Sequence, residues 1–377
     1  MSKGLKLFVL LLLIATGGFL YRYPWSQHST FYMTVLFSQK IKNSDFDQDT
    51  IINVQNKQPT ETLKNLTERA EVKNYTAVRL SDILSQGNGI MFIETTDRMK
   101  PSPLVLCAVE SAARVYSNRS VVYFMKGLPD MHGVNEESEA KKIFPTLSSF
   151  DNVYFSPLRM EDIFTGTPLL PWYKKVDPKR EPYWTHVSAD GCRLALIWKY
   201  GGIYMDTDII SMRPIPDVNF LAAQSSKFSS NGVFGLSTHH SFSWRCMEDF
   251  VQNYNGAVWG NQGPQLFTRV LEQRCEIPNF VSTEDIKCGN ISFLNPQRFY
   301  PIPYPAWKRY YEVWDKVPTF DNSHALHLWN FMNKEQKMVV PGSNTLVDHL
   351  YKQYCPNIYN ALKNNENIYP NLTKDTT

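Results

Sequence analysis

Strong net charge is the first thing this sequence lacks. Thirty-nine Lys and Arg against 36 Asp and Glu leave a formal charge of only +3 over 377 residues, which argues against a nucleic-acid partner or a polybasic membrane surface. Cys/His spacing of the zinc-binding kind is absent. Neither a Gly-x-Ser-x-Gly nucleophile turn nor a phosphate loop ending in Gly-Lys-Ser/Thr occurs. Nucleophilic triads stay open, because their members can be remote in sequence. There is no internal repeat and no low-complexity tract, and apolar runs near bilayer length are confined to the N-terminus. What is present is ordinary globular material, 43% hydrophobic and 14% aromatic, enough for one large domain and a short accessory region.

The N-terminal run covers residues 7–23, with Lys3 and Lys6 before it and Arg22 and Trp25 at its end. It is short against the roughly 20 residues of a bilayer span. A cleaved signal peptide with Ala15-Thr16-Gly17 as its cleavage site competes with an uncleaved anchor. Either one sends the remaining chain into the secretory lumen, and an anchor would leave residues 1–6 cytosolic. Five Asn-x-Ser/Thr sites agree with that compartment: Asn65, Asn74, Asn118, Asn290 and Asn371. Six cysteines can pair there. Cys275 and Cys288 bracket a polar loop and are the first expected pair, whereas Cys192 could equally be a buried thiol. Residues 24–86 are polar, without sustained period, and read as a stem.

The chain is organised around SADGCRLALIWKYGGIYMDTDII, residues 188–210. Ser188 suits an N-cap, Asp190 a first turn, and Leu194, Ile197 and Trp198 an apolar stripe. Gly201 and Gly202 end the helix. The period then becomes two, which places Tyr204, Asp206 and Asp208 on one face of a strand. Carboxylates at that spacing, roughly 6–7 Å apart along the backbone, can chelate a divalent cation that also holds phosphate oxygens. The plain alternative is a charged strand edge.

Flanking segments alternate: strands at 90–93, 121–125, 153–155, 220–223 and 233–236, helices at 104–116, 160–176 (broken), 242–254 and 265–275, a short strand at 325–329 and a closing helix at 345–354. The pattern predicts an α/β fold with a doubly wound, mainly parallel sheet, whose ligands lie beyond the carboxyl ends of the strands. Glu94, Thr95 and Thr96 follow one strand and Asp206 and Asp208 end another, at the same edge. Asp190 and Arg193 share a helix face, as an ion pair or as cleft residues. His327 and Trp329 alternate onto one face; an imidazole suits a third metal ligand and an indole N–H a phosphate oxygen, against simple core packing. Asn231, Trp259, Asn261 and Gln262 sit among glycines and suit sugar hydroxyls and pyranose faces, although Asn261 would equally cap the helix after it.

Together with FIETTDR (92–98), VESAARVY (109–116), NGVFGL (231–236), WGNQGPQL (259–266), RFYPI (298–302) and HLWN (327–330), the core segment resembles sugar transferases of the GT-A, nucleotide-diphospho-sugar type. The family is glycosyltransferase family 32, which holds α-1,4-galactosyl- and α-1,4-N-acetylglucosaminyltransferases, and the likeness runs over about residues 89–360. IWKYGGIYMDTDIISMRPIP, FLAAQ and KRYYEVWD look closest to the N-acetylglucosaminyl branch. The resemblance implies a catalytic domain over 87–377, its DXD part about 89–225 and its C-terminal part about 226–360. It implies a Golgi type II membrane protein that moves N-acetylglucosamine from UDP-GlcNAc, with retention, onto a terminal β-galactose of mucin-type O-glycans. It implies Mn²⁺ (or Mg²⁺) on Asp206 and Asp208 with His327; donor contacts from Glu94, Thr95, Asp190, Arg193 and Trp329; and a sugar pocket of Asn231, Trp259, Asn261 and Gln262. A glycan acceptor, the Golgi membrane and, as an open alternative, a second copy of the chain are the expected partners. Galactosyl transfer to lactosylceramide, a metal phosphohydrolase and an inactive luminal sugar-binding protein are the rival readings.

Overall fold

The structure, a computed structural model, describes residues 80–130, 142–276, 280 and 282–369. The expected cytosolic tail and membrane anchor, nearly all of the stem, Asn65, Asn74 and Asn371 therefore lie outside the described residues. No helix among the described residues is long and apolar enough to cross a membrane.

The first strand, β1 (Ile90–Glu94), shows how the core is built. Its alternate side chains serve two faces: Ile90 and Phe92 join one apolar cluster, Met91 and Ile93 another. Helix α2 (Pro103–Val115) covers the first face and helix α5 (Trp184–Tyr200) the second. Strands β2 (Val121–Met125), buried at every position, and β3 (Val153–Pro157) extend the sheet on one side. A strand buried on both faces reads as a continuous apolar run, which is how VVYFM reads.

On the other side lie β4 (Gly202–Met205), β7 (Phe228–Leu236), β6 (Phe220–Ser225), β9 (Ile291–Leu294) and β8 (Ile286–Cys288), giving the order β3-β2-β1-β4-β7-β6-β9-β8. The four strands from β3 to β4 run parallel, as does β6 with β9. The pairs β4–β7, β6–β7 and β8–β9 are antiparallel, so the sheet is mixed but still mainly parallel, with its antiparallel pairings gathered beyond β4. The departure lies in two tight hairpins. Lys227 (φ 62°) sits in the β6–β7 connection and Gly289 (φ 60°) in the β8–β9 connection, and a left-handed residue lets the chain reverse within two positions. Helices α3 (Met160–Phe164), α4 (Leu169–Tyr173), α6 (Ser241–Gln252) and α7 (Pro264–Glu272) pack on the α5 face.

Expectations for the organising segment and for the end of the chain are corrected. Helix α5 starts four residues before Ser188, whose hydroxyl instead donates to the Thr185 carbonyl at 3.3 Å, and Asp190 is mid-helix. The strand expected through Ile209 stops at Met205. Asp206, Thr207 and Asp208 form a turn, closed by Ile209 N–H on the Asp206 carbonyl (3.2 Å), and β5 (Ile209–Ser211) then pairs antiparallel with β10 (Ala325–His327) in a second, two-stranded sheet. The helix expected to close the chain, α8 (Leu346–Tyr354), is followed by α9 (Pro356–Lys363). Gly202 is required where it stands: φ is 98°, and a Cβ would come within 2.3 Å of the Gly89 carbonyl.

Packing onto the body also begins before residue 87. Short helix α1 (Leu80–Ile83) leads into Leu84, which is 3% exposed and packs against Gly89. Two disulfides are present, Cys275–Cys288 and Cys107–Cys355, while Cys192 and Cys246 are free and buried. Burial pushes the Cys192 thiol up to about 12, so it is held inert.

Candidate active site

The turn after β4 puts Asp206 and Asp208 at the end of the parallel half-sheet, and the β5–β10 pairing brings His327 beside them. One ligand atom from each of the three residues lies within 4.8 Å of the others. His327 Nε2 stands 3.3 Å from Asp208 Oδ1 and 4.0 Å from Asp206 Oδ2. The Trp329 backbone N–H donates to His327 Nδ1 at 3.1 Å, which turns Nε2 toward the carboxylates.

Each carboxylate is half committed. Asp206 Oδ1 accepts from Arg193 Nη1 (2.8 Å) and from the Tyr204 hydroxyl (2.7 Å). Asp208 Oδ2 accepts from the Asn330 N–H (2.8 Å). Asp206 Oδ2 and Asp208 Oδ1 are left facing His327. Gly232 keeps that space open, since a Cβ there would sit 2.7 Å from Asp206 Oδ2. Two carboxylate oxygens and one imidazole nitrogen are the donor set of a hard to borderline divalent cation, so the residues fit one. Burial, opposed by His327 and reinforced by Asp206, raises the Asp208 pKa, and a cation at this point would reverse that balance.

Around this cluster α5 contributes one stripe of polar residues, His186, Asp190 and Arg193, at helical spacing. Arg193 is 7% exposed. It donates through Nη1 to the Asn231 carbonyl (2.8 Å) as well as to Asp206, and through Nε to the Ala189 carbonyl (3.2 Å). Its ring partner is Tyr204, 4.5 Å below the guanidinium. Burial alone would lower the Arg193 pKa, but Asp206, Tyr204 and Asp190 together hold it above its ordinary value. Asp190 lies 3.5 Å from Arg193 Nη2 and accepts from Asn231 Nδ2 at 2.6 Å. Burial pushes its carboxyl up to about 6 in spite of Arg193, because the guanidinium is closer to Asp206 (2.8 Å) than to Asp190. These groups line a cavity of about 690 Å³ together with Trp259, Tyr304, His327, Trp329 and Phe331, a size suited to a bound cofactor or substrate.

Residues 102–227 match the family model described as the glycosyltransferase sugar-binding region containing the DXD motif, and residues 235–362 the alpha 1,4-glycosyltransferase conserved region. The chain is 54% identical over 283 residues to the alpha-1,4-N-acetylglucosaminyltransferase of Homo sapiens, covering 75% of this chain and 83% of that one. The chain belongs to the α-1,4-glycosyltransferase family. It is also 39% identical to the lactosylceramide 4-alpha-galactosyltransferase of Gorilla gorilla gorilla, over 73% of this chain and 83% of that one. Among solved structures, PaToxG glycosyltransferase superposes with a TM-score of 0.38 at 16% identity, over 49% of this chain and 69% of its own. Family membership makes this chain a glycosyltransferase and implies a nucleotide-sugar donor and a divalent cation.

The glycosyltransferase site gathers Asp206, Asp208, His327, Asp190, Arg193, Asn231, Trp259 and Trp329 at one cavity. Several expected site side chains are engaged elsewhere. The Trp329 indole N–H donates to the Ile302 carbonyl at 2.7 Å, so it is spent on the backbone and not on a phosphate. Gln262 is 1% exposed and braces a loop, donating to the Phe250 carbonyl (2.8 Å) and accepting from the Asn255 N–H (3.0 Å). Asn261 donates to the Asn253 carbonyl (3.0 Å) and caps nothing; the N-cap of α7 is Gly263. Glu94 holds its own turn, accepting from the Thr96 N–H and hydroxyl, and the Thr95 hydroxyl donates to the Thr185 carbonyl.

Sequence reasoning missed His186, Tyr300 and Phe331. His186 is four positions before Asp190, a spacing that could have found it. Tyr300 packs against His327 and Trp329 at 5.3 and 5.1 Å. Tyr300 comes from a loop and Phe331 from the single 3-10 turn Asn330–Met332, and no periodicity marks them.

Proposed function

We propose that this glycosyltransferase moves N-acetylglucosamine from UDP-GlcNAc, with retention, to the 4-hydroxyl of a terminal β-galactose on a mucin-type O-glycan. The observation that carries the reading is the Asp206–Asp208–His327 cluster at the cavity, in a chain 54% identical to an enzyme named for N-acetylglucosaminyl transfer. Asp206, Asp208 and His327 would hold one Mn²⁺ in a GT-A-like site; when bound, such an ion neutralises charge on the departing diphosphate. Arg193 and Tyr204 hold Asp206 in its ligating rotamer, and the Asn330 N–H does the same for Asp208. Asp190 and Asn231, locked to one another, face the donor sugar. Glu94 and Thr95, at the carboxyl end of β1, lie toward the nucleoside.

The compartment belongs to the same proposal: a Golgi type II anchor over residues 7–23, a stem, and a luminal catalytic domain. Two disulfides support an oxidising lumen. So do sequons on exposed turns, Asn118 after α2 and Asn290 in the β8–β9 hairpin. Endoglycosidase sensitivity of the expressed chain, together with protease protection in sealed vesicles, tests this part.

The second reading is α-1,4-galactosyl transfer to lactosylceramide, favoured by the 39% identity. A panel of UDP-sugars with and without Mn²⁺, scored by UDP release onto β-galactoside and lactosylceramide acceptors, decides between them. Turnover with UDP-galactose alone would replace the first reading with the second, and no turnover with any donor would leave the inactive sugar-binding protein.

A further inference from the structure

Two aromatic rings stand exposed at the mouth of the cavity. Trp259 is 45% and Phe331 41% exposed, and they stack on each other at 5.3 Å with planes 20° apart. Large aromatic side chains usually sit inside or at a contact, so a stacked pair at a cleft edge calls for an occupant. Phe331 is itself well engaged. The His186 ring meets it edge-on at 5.0 Å, Lys334 Nζ lies 3.9 Å over it, and Trp259 takes a face. Phe331 therefore backs Trp259, whose ring partner is Phe331 and whose indole N–H has no hydrogen-bond partner among the described residues.

Both rings are tied to the metal cluster. Phe331 follows Asn330, whose N–H holds Asp208 Oδ2. Trp259 lies on the loop that ends at Gly263, where a Cβ would come within 2.9 Å of Asp190 Oδ2 and of Asn231 Nδ2. The platform and the carboxylates line the same cavity.

We propose that the exposed face of Trp259, backed by Phe331, is the platform for the acceptor sugar, and that it takes a terminal β-galactoside. This rests on the acceptor class of the proposed function. The chemistry of galactose fits the platform. Its axial 4-hydroxyl leaves the hydrogens on C3, C4 and C5 together on the opposite face of the ring, as one apolar patch that matches an indole. Stacking through that patch directs the 4-hydroxyl away from Trp259 and across the cavity. The same contact leaves the indole N–H at the edge to donate to a ring hydroxyl. In a glucoside the 4-hydroxyl is equatorial, the patch is smaller and the hydroxyl points sideways.

The test uses the full chain with Mn²⁺ and UDP present. Saturation-transfer NMR of methyl β-galactoside should show the strongest enhancement at H3, H4 and H5. Trp259→Ala should abolish it, Trp259→Phe should retain part of it, and methyl β-glucoside should give little. In turnover, Trp259→Ala should raise the acceptor KM on the order of tenfold, about 1.4 kcal/mol, with a much smaller change in the donor KM. Phe331→Ala should move in the same direction by less. An unchanged NMR pattern in Trp259→Ala, or donor and acceptor KM rising together, overturns the platform. The NMR arm depends on no turnover, so a failure of the UDP-GlcNAc assignment is read separately, in the donor panel.

Discussion

At the scale of single residues, the site turns on which oxygens are already occupied. Asp208 keeps Oδ1 free and gives Oδ2 to the Asn330 N–H. Asp208→Asn retains a carbonyl oxygen for one of these tasks but loses the charge. Metal-dependent transfer should fall at least about a hundredfold, the size of effect seen when metal-site groups are lost, with little change in melting temperature; wild-type turnover at saturating metal would remove Asp208 from the ligand set. Arg193 lines the cavity and holds Asp206, the bond through which it is expected to act. Its planar guanidinium serves Asp206 and the Asn231 carbonyl through Nη1 and the Ala189 carbonyl through Nε at once, a geometry that lysine cannot copy. Arg193→Lys should weaken metal affinity about 10- to 100-fold, read by Mn²⁺ titration of UDP binding. Activity restored in full by excess Mn²⁺ is the outcome expected of such a positioning residue. A loss that persists at saturating metal would point to direct donor contact instead.

Asp190 makes a prediction in pH. Its folded pKa of about 6 stands above the ordinary value of 3.8 because the carboxyl is buried. A group whose pKa is raised by folding favours the folded state most below its unfolded pKa, and that contribution is lost as pH rises through the folded pKa. Between pH 4 and 6 the wild type should therefore lose stability that Asp190→Asn does not lose. The difference in melting temperature between the two, measured across that interval, should shift in favour of the variant as pH rises. A constant difference would mean that Arg193 and Asn231 compensate the charge fully.

At the scale of elements, two attachments matter outside the sheet. Glu110, fully buried in α2, accepts from the backbone N–H groups of Asn357 and Ile358 at the start of α9 and pairs with Arg114. The Cys107–Cys355 disulfide ties the same helix to the α8–α9 junction across 248 residues. Replacing both cysteines with alanine should cost about 2–5 kcal/mol, measured by thermal melting, and the cost should exceed that of removing Cys275–Cys288, which closes a loop of 13 residues. Helix α1 supplies the other attachment. A fragment starting at Ser85 discards Leu84 and should melt below one starting at Val72, by the roughly 1.5–3 kcal/mol that burial of one leucine contributes. Equal melting temperatures would show that Leu80–Ile83 and Leu84 add nothing to the body.

At the scale of the whole molecule, the sequence by itself determined what local chemistry can determine. Glycines at 201 and 202 marked a helix end, VVYFM an apolar strand, and Tyr-x-Asp-x-Asp a candidate cation site. Periodicity is a property of neighbours in sequence, so these were legible, and the α/β class with them. The antiparallel pairings of the sheet were not, because Ser226-Lys227 and Gly289-Asn290 are weak hairpin signals beside the stronger βα alternation. The roles of remote residues were decided by the tertiary structure alone. His327 reaches Asp208 from 119 positions away through the β5–β10 pairing, Trp329 spends its N–H on Ile302, and Gln262 turns inward to brace a loop. Whether a polar side chain faces a ligand or a carbonyl depends on which backbone group folding brings within about 3 Å of it, and no pattern along the chain carries that distance.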